Sequence, residues 1–559
     1  MTIAMNDLTE NATLLTDKAA DHDWWRGAVI YQIYPRSFQD TSGDGIGDLA
    51  GIAQRIPYIA SLGVDAIWIS PFFTSPMKDF GYDVSDYLSV DPMFGTVHDF
   101  DDVIAAAHAH GLKVMIDLVI SHTADIHPWF VESRSSKDNA KADWYVWADA
   151  KDDGSPPNNW LSIFGGTAWE WDSTRCQYYL HNFLTSQPDL NFHNEDVQAA
   201  VLDVARFWLD RGVDGFRLDT INFYFHDRQL RDNPSLPVER RNAKTAPAVN
   251  PYNFQEHLYS KSQPENVEFL RRLRALMNEY PAIAAVGEIG DSQRGLELMA
   301  EYTGGGDKMQ MCYAFDFLAP EVPTVESVEE VFTTLRQASE DAWPCWAMSN
   351  HDVVRPATRW GDHVRDRTAY MKLLAGLMAS LRGSLCIYQG EELGLTEADI
   401  AYDQLQDPYG IRFWPKFKGR DGCRTPMVWD GDGVNAGFSN GRPWLPIPGD
   451  HLGLAVDKQD HVQGSMLNHY RKILAFRKAH EALRVGTMSI LKAEDGILII
   501  ERKAGDETIL CVFNLSDERR DVALERPGMQ AISDHDFSGL YRDGTVHLGA
   551  YDAFFGKTD

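Results

Sequence analysis

The sequence has few cysteines and little positive charge. Its 559 residues include six cysteines, and 52 Lys and Arg stand against 82 Asp and Glu, which gives a formal net charge of −30. The cysteines are scattered without a Cys-x-x-Cys pair, which argues against a disulfide framework or zinc site and favours buried, reduced thiols. The negative charge argues against nucleic acid or an anionic membrane as a partner.

Long apolar runs and targeting signals are lacking too. No apolar stretch reaches the roughly 20 residues that span a bilayer, and no basic cluster followed by an apolar core is seen near the start. We therefore expect a cytoplasmic protein without a membrane partner. The hydrophobic content of 44% predicts ordered globular domains, and the length predicts two or three of them. The oligomeric state stays open.

Eight short apolar runs alternate with segments of helical length. They lie at residues 29–34, 66–70, 113–117, 215–219, 284–288, 311–315, 345–349 and 385–388. Eight successive βα units predict an α/β protein with a (β/α)8 TIM barrel, whose functional groups lie at the carboxyl ends of the strands.

Two long interruptions and a change of pattern divide the chain further. The segment after strand three is rich in Trp, Asn, Gly and Pro and is too long for an unstructured loop, so it is predicted to be an inserted domain. After the last barrel helix, short strands predict an all-β domain. The predicted division is an N-terminal tail, 1–23; a barrel, 24–122 and 192–480, with an extra insert at about 391–457; an inserted domain, 123–191; and a C-terminal β domain, 481–559.

An oxygen-rich loop follows the first strand. The segment Asp40-Thr-Ser-Gly-Asp-Gly-Ile-Gly-Asp48 matches the first five ligand positions of an EF-hand loop, but Gly51 stands where the bidentate glutamate belongs. Oxygen donors favour Ca2+, with Mg2+ as the second possibility, in a structural role; a turn without metal is the alternative. The predicted ligands are Asp40, Ser42, Asp44, the Ile46 carbonyl and Asp48.

Three acidic residues, Asp219, Glu288 and Asp352, end predicted strands four, five and seven. A barrel brings such residues to one mouth. Carboxylates held close together cannot all ionise normally, so their pKa values separate. Glycoside cleavage uses such a separated pair, because one carboxylate attacks the anomeric carbon while a carboxylic acid protonates the leaving oxygen.

The neighbours of these acids predict their roles. Arg217 and Asp219 point the same way from one strand, and a guanidinium keeps a nearby carboxylate ionised, as a nucleophile requires. Glu288 lies in an apolar strand without an adjacent cation, which suits the acid/base. Asp352 is expected to bind sugar hydroxyls and help distort the ring. An Arg-x-Asp alone is more often a structural ion pair, but three strand-end acids favour catalysis.

The motifs around these residues resemble those of the α-amylase superfamily, glycoside hydrolase family 13, and specifically its α-glucosidase and oligo-1,6-glucosidase branch. They are Asp117-Leu-Val-Ile-Ser-His122, Gln187-Pro-Asp-Leu-Asn191, Gly215-Phe-Arg-Leu-Asp219, Gly287-Glu-Ile-Gly290 and Asn350-His-Asp352. The resemblance spans nearly the whole chain and implies a barrel, an inserted B domain and a C-terminal β domain. It implies a retaining double displacement with Asp219 as nucleophile, Glu288 as acid/base and Asp352 as transition-state stabiliser.

Ser121 departs from the family pattern, which usually has asparagine there. In true α-amylases that asparagine helps to hold a calcium ion between the barrel and the B domain. Serine at this position argues against such a second calcium site.

The resemblance also implies a pocket closed around one terminal glucose, and therefore cleavage at chain ends. Asp83 and Arg424 would hydrogen-bond the outer hydroxyls of that sugar. Thr220 implies α-1,4 cleavage, with maltose and then sucrose as expected substrates, and transfer to an alcohol is an expected side activity. The implied substrate-binding residues are Tyr82, Asp83, His122, Phe164, Phe183, Arg217, Thr220, His351 and Arg424, with Gln187 and Arg355 as weaker candidates.

Two other functions stay open on the sequence. A glucosyl-transferring isomerase of the superfamily, such as a trehalose or isomaltulose synthase, would share these motifs and is distinguished by its products. A non-catalytic transporter heavy chain would lack the catalytic acids and carry a membrane helix, whereas this sequence has all three acids and no such run. The expected partners are small α-glucosides, without an organic cofactor.

Overall fold

The computed structural model of the protein describes residues 21–524, 526 and 528–558. Its central element is a sheet of eight strands that we label in chain order. They are β1 Val29–Ile33, β2 Ala66–Ile69, β3 Lys113–Leu118, β4 Gly215–Leu218, β5 Ala284–Glu288, β6 Met311–Tyr313, β7 Cys345–Ala347 and β8 Ser384–Tyr388. The predicted tail, 1–23, lies outside the described residues apart from its last three.

The strands lie in the order β6-β5-β4-β3-β2-β1-β8-β7, and each neighbouring pair is parallel. A parallel bridge from Cys312 to Pro344 joins β6 to the residue before β7. This order follows the chain around a ring, so the predicted (β/α)8 barrel is confirmed.

The barrel strands are buried on both faces, which explains their nearly continuous apolar sequences. On β1, Ile30 packs in the cluster inside the barrel together with Trp68 and Met115. Its neighbours Val29 and Tyr31 belong to the larger core between the strands and the surrounding helices. Side chains that alternate along each strand therefore fill two cores.

Helices surround the barrel, and local sequence signals fix their ends. The helix Val97–Ala109 begins at a capping box in which Thr96 and Asp99 satisfy each other's backbone N–H groups, and its buried side includes Phe100 and Val103. The α-helices are Leu49–Ser61, Val97–Ala109, Pro128–Ser135, Glu195–Asp210, Asn266–Met277, Gly295–Thr303, Val325–Ala338, Pro356–Arg359, Arg367–Ser380, Pro408–Phe413, Val456–Gln459, Met466–Ala479 and Glu481–Arg484. The 3-10 helices are Pro35–Ser37, Ile221–Phe223, Val238–Arg240, Pro251–Phe254, Phe315–Phe317, Gly361–His363, Tyr402–Gln404, Asp421–Cys423, Val434–Gly437 and Gly449–Leu454.

Smaller sheets lie inside the predicted insert and at the end of the chain. Between β3 and β4, the strands Trp147–Ala148, Gln177–Leu180 and Trp169–Asp172 form an antiparallel sheet with its own core around Trp160. The strands Phe73–Thr74 and Asp86–Val90 pair after β2.

The C-terminal strands form two sheets. The five-stranded sheet consists of Thr487–Glu494, Ile497–Ala504, Glu507–Asn514, Asp552–Thr558 and Gln530–Ala531. The three-stranded sheet consists of Arg520–Ala523, Thr545–Leu548 and Leu540–Arg542. The all-β C-terminal part is confirmed, while the domain boundaries stay predictions.

Several barrel strands end one or two residues before the sequence pattern does. Asp219 and Ser349 were placed in strands, but β4 ends at Leu218 and β7 at Ala347. Thr220 has a left-handed backbone, with φ 39° and ψ 53°, so the chain turns sharply after β4.

All six cysteines are free, and Cys176 is the exposed one. Of the helices that the structure describes, none combines the length and the apolar character needed to cross a bilayer.

Candidate active site

A cavity of about 710 Å³ opens where the barrel strands end. Asp219 follows β4, Glu288 ends β5 and Asp352 follows β7, and all three line this cavity. The volume lies within the roughly 300–1,000 Å³ of small-molecule sites. The fold therefore brings together the three acids that the sequence spreads over three strands.

Arg217 on β4 connects the acids beneath the cavity. Its Nη1 donates to Asp219 Oδ1 at 2.6 Å and to Asp117 Oδ1 at 2.8 Å. Its Nη2 lies 2.7 Å from Glu288 Oε2 and donates to the Tyr313 hydroxyl at 2.8 Å. The side chain is fully buried, so its charge acts in a medium that screens it weakly.

The contact with Arg217 corrects one expectation from the sequence. Glu288 was expected to have no adjacent cation, but Arg217 reaches it from the neighbouring strand. The two residues are distant in sequence, and only the pairing of β4 with β5 brings them together. The environment of Glu288 is therefore set by both burial and a shared guanidinium.

Burial raises the pKa values of the two central acids. The pKa of Asp219 rises to about 6, against the lowering effect of Arg217. The pKa of Glu288 rises to about 7; Arg217 opposes this shift, and the negative charges of Asp219 and Asp352 reinforce it. Glu288 can therefore hold a proton close to neutral pH, as a general acid requires. Arg217 limits the rise at Asp219, the residue expected to be the ionised nucleophile.

Asp352 is held ionised by a different set of neighbours. Arg424 Nη2 donates to its Oδ1 at 2.7 Å and Arg420 Nη1 at 3.2 Å, while His351 Nε2 lies 3.3 Å from Oδ2. Burial would raise its pKa, but His351, Arg420 and Arg424 hold the pKa of Asp352 well below its usual range. A charged Asp352 can accept hydrogen bonds from sugar hydroxyls and stabilise positive charge on the ring.

Aromatic and imidazole rings form one wall of the site. Tyr82 lies parallel to His351 with ring centroids 5.3 Å apart, and its hydroxyl donates to Asp117 at 3.1 Å. His122 Nε2 donates to the Tyr82 carbonyl at 2.9 Å. Burial lowers the pKa of His122 to about 4, so this ring is neutral near pH 7. Tyr82 and His122 line the cavity, whereas His351 stacks on Tyr82 and is not among the lining residues.

Asp79 lines the pocket in the position expected for Asp83. Asp83 is fully buried, and its carboxylate accepts hydrogen bonds from the Ser75 hydroxyl at 2.9 Å and the Lys78 N–H at 2.8 Å. Asp79 lines the cavity and Asp83 does not. The turn at Gly81, with φ +104°, directs the earlier aspartate to the site and the later one into the loop that supports it.

Arg420 lines the pocket in the position expected for Arg424. Arg420 lines the cavity and donates from Nη2 to Asp79 Oδ1 at 2.7 Å. Arg424 lies behind the cavity, where it holds Asp352 and donates to the His351 carbonyl at 2.7 Å. Both arginines flank the short 3-10 helix Asp421–Cys423, and their spacing by four residues is the one signal that could have identified Arg420.

The remaining expected residues divide into those at the cavity and those behind it. Phe164, Phe183 and Thr220 line the cavity. Gln187 is buried and donates to Asp79 at 3.1 Å, so it supports the pocket from behind. Arg355 was expected to contact the substrate, but it is not among the lining residues. It donates to the backbone carbonyls of Gln389 and of Cys423 in the second insert, so its contacts are structural.

The oxygen-rich loop, residues 40–48, keeps the hydrogen bonds that curl an EF-hand-like loop. Asp40 Oδ1 accepts the backbone N–H of Gly43 at 2.8 Å, and Oδ2 accepts that of Gly45 at 2.8 Å. Burial would raise the pKa of Asp40, but hydrogen bonds from a serine hydroxyl and the loop backbone hold it below its usual value. An ionised carboxylate in this position fits a hard cation.

Asp44 and Asp48, two further predicted ligands, form different hydrogen bonds. Asp44 Oδ1 accepts the N–H of Ile46 at 2.8 Å, as in a curled loop. Asp48 accepts the N–H of Gly51 at 2.7 Å and that of Thr41 at 2.8 Å, so it caps the following helix. Over the part of the chain that the structure covers, no three His, Cys, Asp or Glu side chains gather as a metal site. The agreement of this loop with a cation site therefore rests on its oxygen donors and its shape.

The chain is similar to known glucosidases over most of its length. The model of the alpha-amylase catalytic domain matches residues 32–486. A probable alpha-glucosidase from Rhizobium meliloti is 64% identical, over 98% of this chain and 100% of the relative. An oligo-1,6-glucosidase from Heyndrickxia coagulans is 37% identical, over 90% of this chain and 94% of the relative.

Solved structures give the same picture. The alpha-glucosyl transfer enzyme XgtA superposes with a TM-score of 0.93 and 51% identity, over 96% of this chain and 99% of that one. The trehalulose synthase MutB from Pseudomonas mesoacidophila has a TM-score of 0.84 and 32% identity, over 96% of this chain and 99% of that one. These similar structures thus include an alpha-glucosyl transfer enzyme and a trehalulose synthase.

Proposed function

The chain belongs to the α-amylase family of glycoside hydrolases, in its α-glucosidase branch, and on that premise we propose that it is a retaining exo-α-glucosidase. It releases terminal glucose from short α-glucosides. The observation that carries this proposal is the pair Asp219 and Glu288, which share Arg217 and both line the cavity at the barrel mouth. Double displacement uses such a pair, with one carboxylate ionised as the nucleophile and its neighbour protonated as the acid.

The first step forms a covalent glucosyl-enzyme. Ionised Asp219 attacks the anomeric carbon while protonated Glu288 gives its proton to the glycosidic oxygen, and the bond to the leaving group breaks. In the second step Glu288, now ionised, removes a proton from water as the water oxygen attacks the same carbon. The ester bond to Asp219 breaks, and glucose leaves with its original anomeric configuration.

The polar part of the cavity suits one non-reducing glucose. Asp79, Arg420 and Asp352 form a connected set of charges around it. Charged groups bind hydroxyls strongly where water is excluded. A chain that extended beyond this sugar would separate Asp79 from Arg420, so we propose cleavage at chain ends only.

We propose α-1,4 linkages, as in maltose, as the preferred substrates, with sucrose second. The support is Thr220, which lies between the two acids: its N–H donates to Glu288 at 3.3 Å and its hydroxyl to Asp219 at 3.3 Å. In this position the side chain can discriminate between leaving groups that approach from different angles.

We also propose transfer of glucose to alcohols and a cytoplasmic location. An alcohol can replace water in the second step, because both present a hydroxyl to ionised Glu288. The six free cysteines support a reducing compartment.

Product analysis tests the proposed reaction. The protein is incubated with maltose, isomaltose, sucrose and trehalose, and proton NMR follows products and anomers. Release of α-glucose before mutarotation, with maltose the best substrate, is the expected result. Conversion of sucrose mainly to isomaltulose or trehalulose would instead make the protein an isomerase, and β-glucose as the first product would contradict retention.

We propose that the 40–48 loop binds Ca2+, with Mg2+ as the second candidate, through Asp40, Ser42, Asp44, the Ile46 carbonyl and Asp48. Such an ion would stabilise the loop and take no part in the reaction. Isothermal titration with CaCl2 and the melting temperature in EDTA test this. Stoichiometric binding that is lost in Asp44→Asn, but kept in the exposed control Asp432→Asn, is expected; no heat of binding and equal melting temperatures would reject the site.

A further inference from the structure

A second cavity of about 710 Å³ lies within the second insert, residues 391–457. All of its lining residues fall between positions 403 and 452, and none of them lines the active-site cavity. Its volume lies within the roughly 300–1,000 Å³ of small-molecule sites. The insert therefore has room for a ligand of its own, apart from the place where the glycosidic bond is cleaved.

The polar side chains of this second cavity carry balanced charge. Asp403 supplies a carboxylate, Arg442 a guanidinium, and Gln404, Gln406 and Asn435 supply amides. Because one negative and one positive group are present, the lining favours a neutral ligand over an ion. A carboxylate only accepts hydrogen bonds, a guanidinium only donates them, and an amide does both. A ligand with several hydroxyl groups, each of which donates and accepts, can therefore pair with the whole set.

The two charges of the cavity are not engaged with each other. Asp403 and Arg442 are both exposed, and neither forms an ion pair with any residue that the structure describes. Elsewhere in the same insert an exposed carboxylate does have a partner, since Lys458 Nζ lies 2.5 Å from Asp432. The carboxylate and the guanidinium of the cavity are therefore available to a ligand that lies between them.

The cavity also has an apolar side, to which Trp444, Pro446 and Leu452 contribute. The indole of Trp444 is held in place, because its Nε1 donates to the Ser37 hydroxyl at 2.9 Å and its ring centroid lies 5.5 Å from that of Phe80. The C–H groups of a sugar ring form an apolar face that can pack on such a surface while its hydroxyls reach polar groups.

Hydrogen bonds hold the loops that surround this cavity. Asn435 Nδ2 donates to the carbonyls of Ser439 at 3.0 Å and Gly441 at 2.6 Å. The backbone N–H of Gln406 donates to the buried carboxylate of Asp421 at 2.6 Å. A ligand would thus enter a cavity that is already formed, and its binding would not first have to order these loops.

We infer that the second cavity binds a short neutral sugar, such as maltose, at a site separate from the active site. A sugar has no net charge, its hydroxyls can bridge Asp403 and Arg442, and the face of its ring can pack on the side that includes Trp444. The role is binding alone, because Asp403 is the one acidic side chain among the described residues that line the cavity and glycoside cleavage uses two. The inference does not depend on the proposed reaction.

The number of maltose molecules bound per chain tests this inference. Surface plasmon resonance is measured on immobilised Asp219→Asn protein, which is expected not to consume maltose, and the saturating response gives the stoichiometry. Two molecules per chain are expected. One of them is displaced by 1-deoxynojirimycin, a glucose-like amine that the carboxylates of the active site favour over the neutral second cavity. A single maltose per chain that this amine displaces completely would overturn the inference.

Two substitutions locate the second site. Arg442→Gln and Asp403→Asn, each combined with Asp219→Asn, are expected to weaken the maltose binding that persists with the amine about tenfold or more, because each removes a charged hydrogen-bonding partner. Asp399→Asn in the same background is the control, since Asp399 is an exposed carboxylate of the insert that pairs with Lys418 and does not line the cavity. Its affinity is expected to stay within twofold. Unchanged affinity in the first two variants, or an equal loss in all three, would overturn the location.

Glucose 1-phosphate tests the preference for a neutral ligand. With the amine present, it is expected to bind no more tightly than maltose, and tenfold tighter binding would overturn that preference. A failure of the proposed active site has a different signature. The amine would then displace no maltose, and one bound molecule would remain that Arg442→Gln weakens, so the inference would stand while the proposed function would not.

Discussion

The guanidinium of Arg217 lies 2.7 Å from the carboxylate of Glu288. The same guanidinium bonds Asp219 at 2.6 Å, so one buried positive charge serves both acids of the reaction. Each acid also faces two other carboxylates, which raise its pKa: Asp117 and Asp352 act on Asp219, and Asp219 and Asp352 act on Glu288. The cation limits how far either pKa rises, and burial ensures that both rise.

The pH dependence of the reaction follows from these two groups. Asp219 must be ionised, so kcat/KM is expected to fall as the pH drops through about 6. Glu288 must be protonated, so kcat/KM is expected to fall as the pH rises through about 7. A bell-shaped profile for maltose, with its maximum between these values, is expected from initial rates. A rate that kept increasing into alkaline solution would contradict the assignment of Glu288.

Replacement of Arg217 tests the shared cation. Arg217→Lys keeps a charge but cannot reach Asp117, Asp219 and Glu288 together, so kcat is expected to fall about 100-fold or more. Arg211→Lys is the matched control, because Arg211 forms a partly exposed pair with Asp101, and its kcat is expected to stay within twofold, since exposed pairs contribute about 0–1 kcal/mol. Circular dichroism shows whether each variant folds. A folded Arg217→Lys protein with normal kcat would refute the role of the guanidinium.

Asp79 and Asp83 are expected to respond differently to substitution. Asp79→Asn leaves Arg420 paired with Asp407 but removes a charged partner of the sugar, so kcat/KM is expected to fall about 30- to 100-fold, or roughly 2–3 kcal/mol. Asp83→Asn removes an acceptor from the turn and is expected to lower the melting temperature by a few degrees. Kinetics and thermal unfolding measured on both variants check this. If Asp83→Asn lost activity without loss of stability, the placement of these two residues would be contradicted.

Thr220 tests the linkage preference. Thr220→Val keeps the shape of the side chain but loses the hydroxyl that donates to Asp219. The ratio of kcat/KM for maltose to that for isomaltose is expected to fall about tenfold, corresponding to one lost hydrogen bond of about 1 kcal/mol or slightly more. Thr358→Val is the control, because the Thr358 hydroxyl accepts the N–H of Glu397 and bonds neither catalytic acid. An unchanged ratio in Thr220→Val would remove Thr220 from linkage selection.

The sequence predicted the barrel and its three acids because both depend on local patterns. Buried parallel strands are short apolar runs, and a carboxylate at the end of such a run lies at the barrel mouth wherever the strand falls in the chain. Asp219, Glu288 and Asp352 were found in this way. The family motifs added Tyr82, His122, Phe164 and Phe183, which line the cavity or its wall.

What the sequence missed depends on contacts between distant segments. The approach of Arg217 to Glu288 requires the pairing of two strands. Arg420 reaches Asp79 from the second insert, whose path has no regular period that a sequence pattern reveals. The choice between Asp79 and Asp83 depends on one turn at Gly81, and both residues have the chemistry required. The prediction that Arg355 contacts the substrate was wrong, because an arginine near a motif can bind backbone carbonyls as well as a substrate.

Trapping of the covalent intermediate tests the central claim most directly. The protein is treated with 5-fluoro-α-glucosyl fluoride, which forms the glucosyl ester quickly and loses it slowly, and proteolytic peptides are examined by mass spectrometry. One adduct per chain, on the peptide that contains Asp219 and absent from Asp219→Asn, is the predicted result. An adduct on another residue, or full turnover of maltose by Asp219→Asn, would contradict the account.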